Sequence, residues 1–152
     1  LMKNVSAADS MIIKHGISWY MLTNICSAGI GDHNSELHIY FSNNLYSENW
    51  HPVASGNPVI FDSRKARNAG FFSLNNKLYR VNQIHGKSHY GKSFGVNEIC
   101  TMNHYQYSEK RIQTISPEFK DDIVSTHHFN ANKNIAVLDY MRKRRVKDVF
   151  QG

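Results

Sequence analysis

Residues 50–91 read W-H-P-V-A-S-G-N-P-V-I-F-D-S-R-K-A-R-N-A-G-F-F-S-L-N-N-K-L-Y-R-V-N-Q-I-H-G-K-S-H-Y-G. Arg67, Arg80, Gln83 and Tyr90 stand here among short strand-like runs and several histidines. A plain structural sheet would put aliphatic side chains at such positions. A guanidinium offers a planar fork of donors, an amide both donates and accepts, and a phenol adds a flat apolar face. Together they suit a polar ligand with many hydroxyls or a negative charge.

Outward from this stretch the chain divides into repeated units. Residues 69–74 form a run ended by Asn75-Asn76, a two-residue hairpin signal, and residues 78–83 follow. Residues 90–102 and 105–115 alternate apolar and polar positions. Upstream, residues 10–14 and 17–26 are apolar, the latter rich in aromatic and branched side chains as a buried strand should be. A Gly-rich loop, residues 27–34, leads to E-L-H-I-Y-F-S at 36–42, which alternates as a half-buried strand does. Downstream, T-H-H-F-N-A-N, a turn at 132–134 and I-A-V-L-D-Y-M make a shorter third unit.

The units begin near Asp9, Ala66 and Ser125, about fifty-odd residues apart. Each opens on a short strand, turns, and continues in longer strands. That is the pattern of propeller blades, and it predicts an all-β fold in a single domain over residues 1–152. A sandwich or barrel of eight to ten strands is the structural alternative. Only residues 116–122, after Pro117, carry a helical-turn signal.

Composition narrows the function classes. The chain has 152 residues, with 12% aromatic side chains, which leans toward β structure. The net charge of +6 gathers partly in residues 141–147, M-R-K-R-R-V-K, so the basicity is local. No nucleic-acid module accompanies it, and nucleic acid is not expected as a partner. Cys26 and Cys100 lie far apart in apolar runs and read as buried, reduced thiols. No run of about 18 apolar residues predicts a membrane span, and no signal-peptide pattern occurs, so a cytoplasmic location is expected. The opening L-M-K-N, rather than a plain initiator, points to a preceding segment.

The ordered set W-H-P…N-P-V…A-R-N-A-G…L-Y-R-x-x-Q…Y-G, with D-S-M-I-I…G-I-S-W-Y-M-L before it and H-H-F-N…I-A-V-L-D after it, carries a resemblance. Over residues 6–144 the chain resembles a five-bladed β-propeller family related to glycoside hydrolase family 43. That family occurs in plant glucosamine inositolphosphorylceramide transferases and in bacterial polysaccharide-biosynthesis proteins, some with a formyltransferase-like domain. The resemblance implies the C-terminal three blades of such a propeller. The partner implied is then the missing N-terminal blades or a second copy of the chain, since an open arc leaves raw sheet edges. The related hydrolases hold catalytic carboxylates around the central axis on early and middle blades. Asp9, at a blade start, is the residue here that could match one, and a complete glycosidase pair does not assemble.

Each candidate has a structural alternative. Asp9 is read as a sugar-hydroxyl or acid–base residue, or else as a turn carboxylate. Arg67, among small neighbours, suits a carboxylate, phosphate or paired hydroxyls, or else forms a salt bridge to Asp62 or to another blade. Arg80 and Gln83 are both read as lining the polar site. Three apart, they fall on opposite faces of a regular strand, so both serve it only if a bulge or loop intervenes, or else one lies in the site and the other holds blade to blade. Tyr90, beside a bend at Gly91, is read as stacking on a sugar, or else as holding a backbone group. His127 and His128 are strand neighbours, of which at most one faces the axis. Asp139 is read as a structural partner of Arg80 or of the basic run. His85 and His89 have helical metal-site spacing but lie in a loop with Gly86, so no metal site is expected, and no cofactor. The expectation is a carbohydrate-directed domain of glycan or glycolipid biosynthesis that binds a sugar or sugar phosphate. The alternatives are a hydrolase or transferase using Asp9, and a purely structural interaction module.

Overall fold

A computed structural model describes residues 2–27, 29, 32–86 and 91–143. The fold is all-β. Strands β1 (Ala7–His15), β2 (Ser18–Ile25), β3 (Glu36–Ser42) and β4 (His51–Pro52) pair in chain order, and β5 (Ile60–Phe61) also pairs with β3. A second meander follows: β6 (Asn68–Leu74), β7 (Lys77–Ile84), β8 (Ser93–Met102) and β9 (Tyr107–Ile115). The helical-turn signal becomes one 3-10 turn, Pro117–Phe119. The remaining short strands form two antiparallel pairs: β10 (Ile123–Ser125) with β13 (Met141–Arg142), and β11 (Phe129–Ala131) with β12 (Ala136–Leu138). All pairings are antiparallel, and no sheet among the described residues closes on itself.

The second sheet packs apolar side chains on both faces, although its strands also bury polar ones, Asn68, Arg80, Asn82, Gln83 and Asn97. On one side Phe71 and Met102 meet Tyr20, Leu22, Leu37 and Ile39 of the first sheet. On the other, Val81 and Phe94 pack against Phe129 and Leu138. The β6–β7 hairpin turns on Asn75 and Asn76 at φ 50° and 60°. Both are left-handed, the backbone of a type I′ turn, whose twist suits paired strands and which asparagine tolerates better than most residues.

Several expectations are corrected. Ile17, read as the first residue of a buried strand, sits in the preceding turn and is exposed. Strand β3 alternates as read, yet it is not half-buried: Glu36 and His38 are buried too. On that polar face Glu36 accepts from the Ser27 backbone N–H, the Ser27 hydroxyl and His38 Nε2 at 2.9 Å, while His38 Nδ1 is buried without a hydrogen-bond partner among the described residues. Cys26 is half-buried and Cys100 is exposed, so neither is the fully buried thiol expected. The third unit lacks a longer strand; its pieces instead dock on neighbours. Of the basic run, Arg142 bonds Asp122 at 2.8 Å in the β10–β13 region, and residues 144–147 lie outside the described residues. Among the described residues no helix is long and apolar enough to cross a membrane.

Candidate functional site

Strand β1 is not regular. Its register against β2 slips between Ala8 and Met11, and Asp9 sits in the slip at φ 47°. The sequence reading put Asp9 ahead of the strand; it lies inside β1, on a bulge. A bulge re-aims a side chain, and Asp is among the few non-glycine residues that tolerate this backbone. The bulge is held from across the sheets: Asn68 Nδ2 donates to the Asp9 carbonyl at 3.0 Å, and Ser10 and Thr23 share a hydroxyl bond of 2.6 Å.

The re-aimed carboxylate collects two side chains from the second sheet. Arg67 Nε donates to Asp9 Oδ2 in a short ion pair. Gln83 Nε2 donates to the same oxygen at 3.1 Å and to the Asn68 carbonyl at 2.9 Å. Arg67 is therefore tied to Asp9 across the sheets rather than to Asp62, whose carboxylate is taken by Arg64 and Lys65. The backbone N–H of Arg64, and then its side chain, hold the Asp62 carboxyl below the usual carboxylate range against the opposing effect of burial.

Asn34 extends the cluster. An Asp32 side-chain oxygen accepts from the Asn34 and Ser35 backbone N–H groups at 2.8 and 3.2 Å, a local turn that aims Asn34 inward. Asn34 Oδ1 then accepts from Arg67 Nη1 at 3.2 Å and from His85 Nε2 at 3.1 Å. The other His85 nitrogen, Nδ1, accepts from the Gly91 backbone N–H at 3.1 Å, which fixes the tautomer with its proton on Nε2. Burial, followed by the nearby charges of Arg67 and His127, pushes the His85 imidazole below its ordinary pKa. His127 packs on Gly91, where an added Cβ would fall 2.5 Å from the His127 Cβ. Asp139 closes this side: its Oδ2 lies 2.9 Å from His127 Nδ1, and its Oδ1 accepts from the His127 and His128 backbone N–H groups. Asp139 thus faces His127, and among the described residues it pairs with neither Arg80 nor Arg142.

Strand alternation separates Arg80 from Gln83. Arg80 is fully buried and its N–H groups go to Glu109 Oε1 and Oε2, the Ala66 and Lys65 carbonyls and Asn68 Oδ1. Those five bonds use every donor a guanidinium has, so Arg80 offers none to a ligand. The expectation that it lines the site gives way to a tie within the frame, opposed by burial but favoured by Glu109. A separate cleft of about 340 Å³ opens on that side, with Asp62, Lys65, Glu109 and Arg111 on its wall. His128 is exposed and lies beside Asn130 and Val137, away from the Asp9 cluster. Tyr90 lies outside the described residues, as does His89. Among the described residues no group of three His, Cys, Asp or Glu side chains gathers as a metal site would require.

Sequence reasoning passed over Asn34, Asn68 and His85 as members of this cluster. The signals were the D-x-N of the 27–34 loop, and the asparagine beside Arg67 in A-R-N-A-G. A polar side chain next to an arginine in an otherwise small, apolar strand start is a positioning element as readily as a ligand group.

The molecule is thus an all-β domain of stacked antiparallel meanders, with a mixed-charge amide, guanidinium and carboxylate cluster at one sheet junction. The chain belongs to the family described as glucosamine inositolphosphorylceramide transferase 1, N-terminal, whose model matches residues 1–139. By that description it is a domain related to glycolipid biosynthesis, in keeping with a carbohydrate-directed role. No curated protein matches the chain, and no solved structure matches it.

Proposed function

We propose that this domain binds or positions a sugar or sugar phosphate in glycolipid or glycan biosynthesis, at the cluster of Asp9, Arg67 and Gln83. The observation that carries the reading is their convergence. Residues 9, 67 and 83 come from separate strands or strand starts, yet two of the side chains meet on one carboxylate oxygen of the third. A frame built only for stability would fill such a junction with apolar side chains, because isolated polar pairs contribute little net stability. The reading also takes the two meanders as successive blades of a propeller arc related to glycoside hydrolase family 43, with units starting near residues 9, 66 and 125 in one domain. The closeness of β1 and β6, and of β6 and β11, supports that arrangement. His127 borders the proposed site, and Tyr90 is kept as a stacking residue on sequence alone.

The test is Arg67→Ala in the full chain. Sugar binding measured by titration calorimetry should weaken by about tenfold or more, the loss of one charge-assisted contact. The melting temperature should stay within a few degrees. A sharp fall in melting temperature would instead assign Arg67 to the frame and favour the structural module. A second reading, Asp9 as an acid–base residue of a hydrolase or transferase, draws on its part-exposed side chain and left-handed backbone, a form of strain often found at active sites. Loss of turnover in Asp9→Asn, with sugar binding retained, would favour it; unchanged turnover removes it.

A further inference from the structure

The hydrogen-bond roles around Asp9 are asymmetric. Asp9 Oδ2 takes both Arg67 and Gln83, which leaves Oδ1 as an acceptor with no hydrogen bond among the described residues. Asn34 is oriented by its two donors, so Oδ1 faces Arg67 and His85 and the Nδ2 group remains a donor. Gln83 is oriented in the same way: both Nε2 hydrogens are used, by Asp9 and by the Asn68 carbonyl. Its Oε1 is buried and without a partner among the described residues, although the side chain is only 4% exposed. A buried acceptor left so costs about 1–3 kcal/mol, which an arriving donor recovers.

The charges point the same way. Asp9 matches Arg67, and the carboxylates of Asp32 and Asp139 stand near His85 and on His127 respectively. The guanidinium is therefore already answered. Burial and the adjoining Arg67 hold His85 toward its neutral form, so it adds no fixed positive charge.

Resting on the sugar-binding reading above, we infer that the cluster selects a neutral, hydroxyl-bearing sugar face and rejects a phosphorylated one, with Asn34 Nδ2 as donor and Asp9 Oδ1 and Gln83 Oε1 as acceptors. A hydroxyl both donates and accepts, so it can satisfy Asn34 and one of the two acceptors together. A phosphate oxygen at neutral pH only accepts. It would face two acceptors, one of them an oxygen of the carboxylate that already engages Arg67, and the desolvation of its own charge would go uncompensated.

Glucose, galactose and mannose, each beside its 1-phosphate and its 6-phosphate, can be titrated into the full chain by calorimetry and ligand-observed NMR. At least one neutral sugar should bind, with its phosphates about tenfold weaker or more. The variant Asn34→Asp keeps an oxygen for Arg67 and His85 but replaces the donor with an acceptor. It should keep its melting temperature and lose neutral-sugar binding by about tenfold or more. A phosphate that binds as tightly as its parent sugar overturns the inference and leaves the sugar site standing. Unchanged neutral binding in Asn34→Asp, with the fold intact, also overturns it. If no sugar binds in either form, the sugar-binding reading itself falls, and this inference with it.

Discussion

Arg80 and His85 sit near opposite ends of one polar network and answer to different physics. Arg80 and Glu109 are both buried, so removing the guanidinium leaves a carboxylate with its charge unmatched beside Tyr107, whose hydroxyl also donates to Glu109. Burial, reinforced by that carboxylate, pushes the Tyr107 hydroxyl well above its ordinary pKa, so it stays a donor at neutral pH. Arg80→Met should cost about 3–5 kcal/mol in urea unfolding, whereas the double variant Arg80→Met, Glu109→Leu should recover a large part of it. Equal losses in the two variants would show that the pair is not coupled. His85 responds to pH instead. Its folded-state pKa lies below the ordinary value of 6.5, so the unfolded chain takes up a proton first as pH falls. Above about 6.5 the group has no effect on stability. The loss begins as pH drops through that value and is complete below the depressed folded-state value. The fall in melting temperature from about pH 7 to about pH 5 should therefore be smaller in His85→Gln than in the parent chain. An identical fall would place the acid sensitivity elsewhere.

Strands and turns were the most legible level of this chain. The E-L-H-I-Y-F-S stretch, residues 36–42, matches β3 end to end, because period-two alternation is a local property of the sequence. The Asn75-Asn76 turn was equally plain, since few residue pairs accept two left-handed positions. Alternation likewise separated Arg80 from Gln83. The Asp9 bulge was not legible: its register slip is held by Asn68 and Thr23, which no local window connects to it. For the same reason Asn34 and His85 did not stand out, as their meeting depends on loop geometry far apart in sequence. In the third unit the turn at 132–134 was legible, since Phe129–Ala131 pairs with Ala136–Leu138 around it, but the β10–β13 pairing was not, its strands being only three and two residues long. Gly70 tests the packing of these elements. It lies at a register shift in the β6–β7 pairing at φ 129°, and a Cβ there would run into the Phe129 carbonyl. Gly70→Ala should cost about 2–4 kcal/mol, combining backbone strain with displacement of β11. Gly16, at φ 60° in open space, isolates the first part, and Gly16→Ala should cost only about 1 kcal/mol by the same urea measurement. Similar values at both sites would mean that β11 moves aside without resistance.

At the scale of the whole molecule, stability is divided between two apolar layers of unequal size. The layer between the two meanders joins Tyr20, Leu22, Leu37, Ile39, Phe71 and Met102, while that on the other side rests on fewer buried groups. Phe129 is the centre of this second layer: its ring meets Phe72 edge-on at 5.4 Å and stacks over Phe94 at 6.1 Å, with Leu138 alongside. The β11–β12 hairpin is short and contributes little pairing of its own, so its hold on the second sheet depends on that ring. His127 and Asp139 border this hairpin, which couples the margin of the proposed sugar site to the docking of Phe129. Phe129→Ala should remove about 2–3 kcal/mol of local packing, less than for a fully buried ring because Phe129 is partly exposed. Regions held by few apolar contacts open below the global unfolding free energy. Amide exchange should therefore rise about thirtyfold or more in residues 129–138, while β6 to β9 keep their protection. Sugar binding should weaken only where the ligand reaches His127, leaving the Asp9, Arg67 and Gln83 contacts in place. If exchange instead rises equally in all sheets, the two layers form a single cooperative unit, and Phe129 is part of one core rather than the anchor of a separable edge.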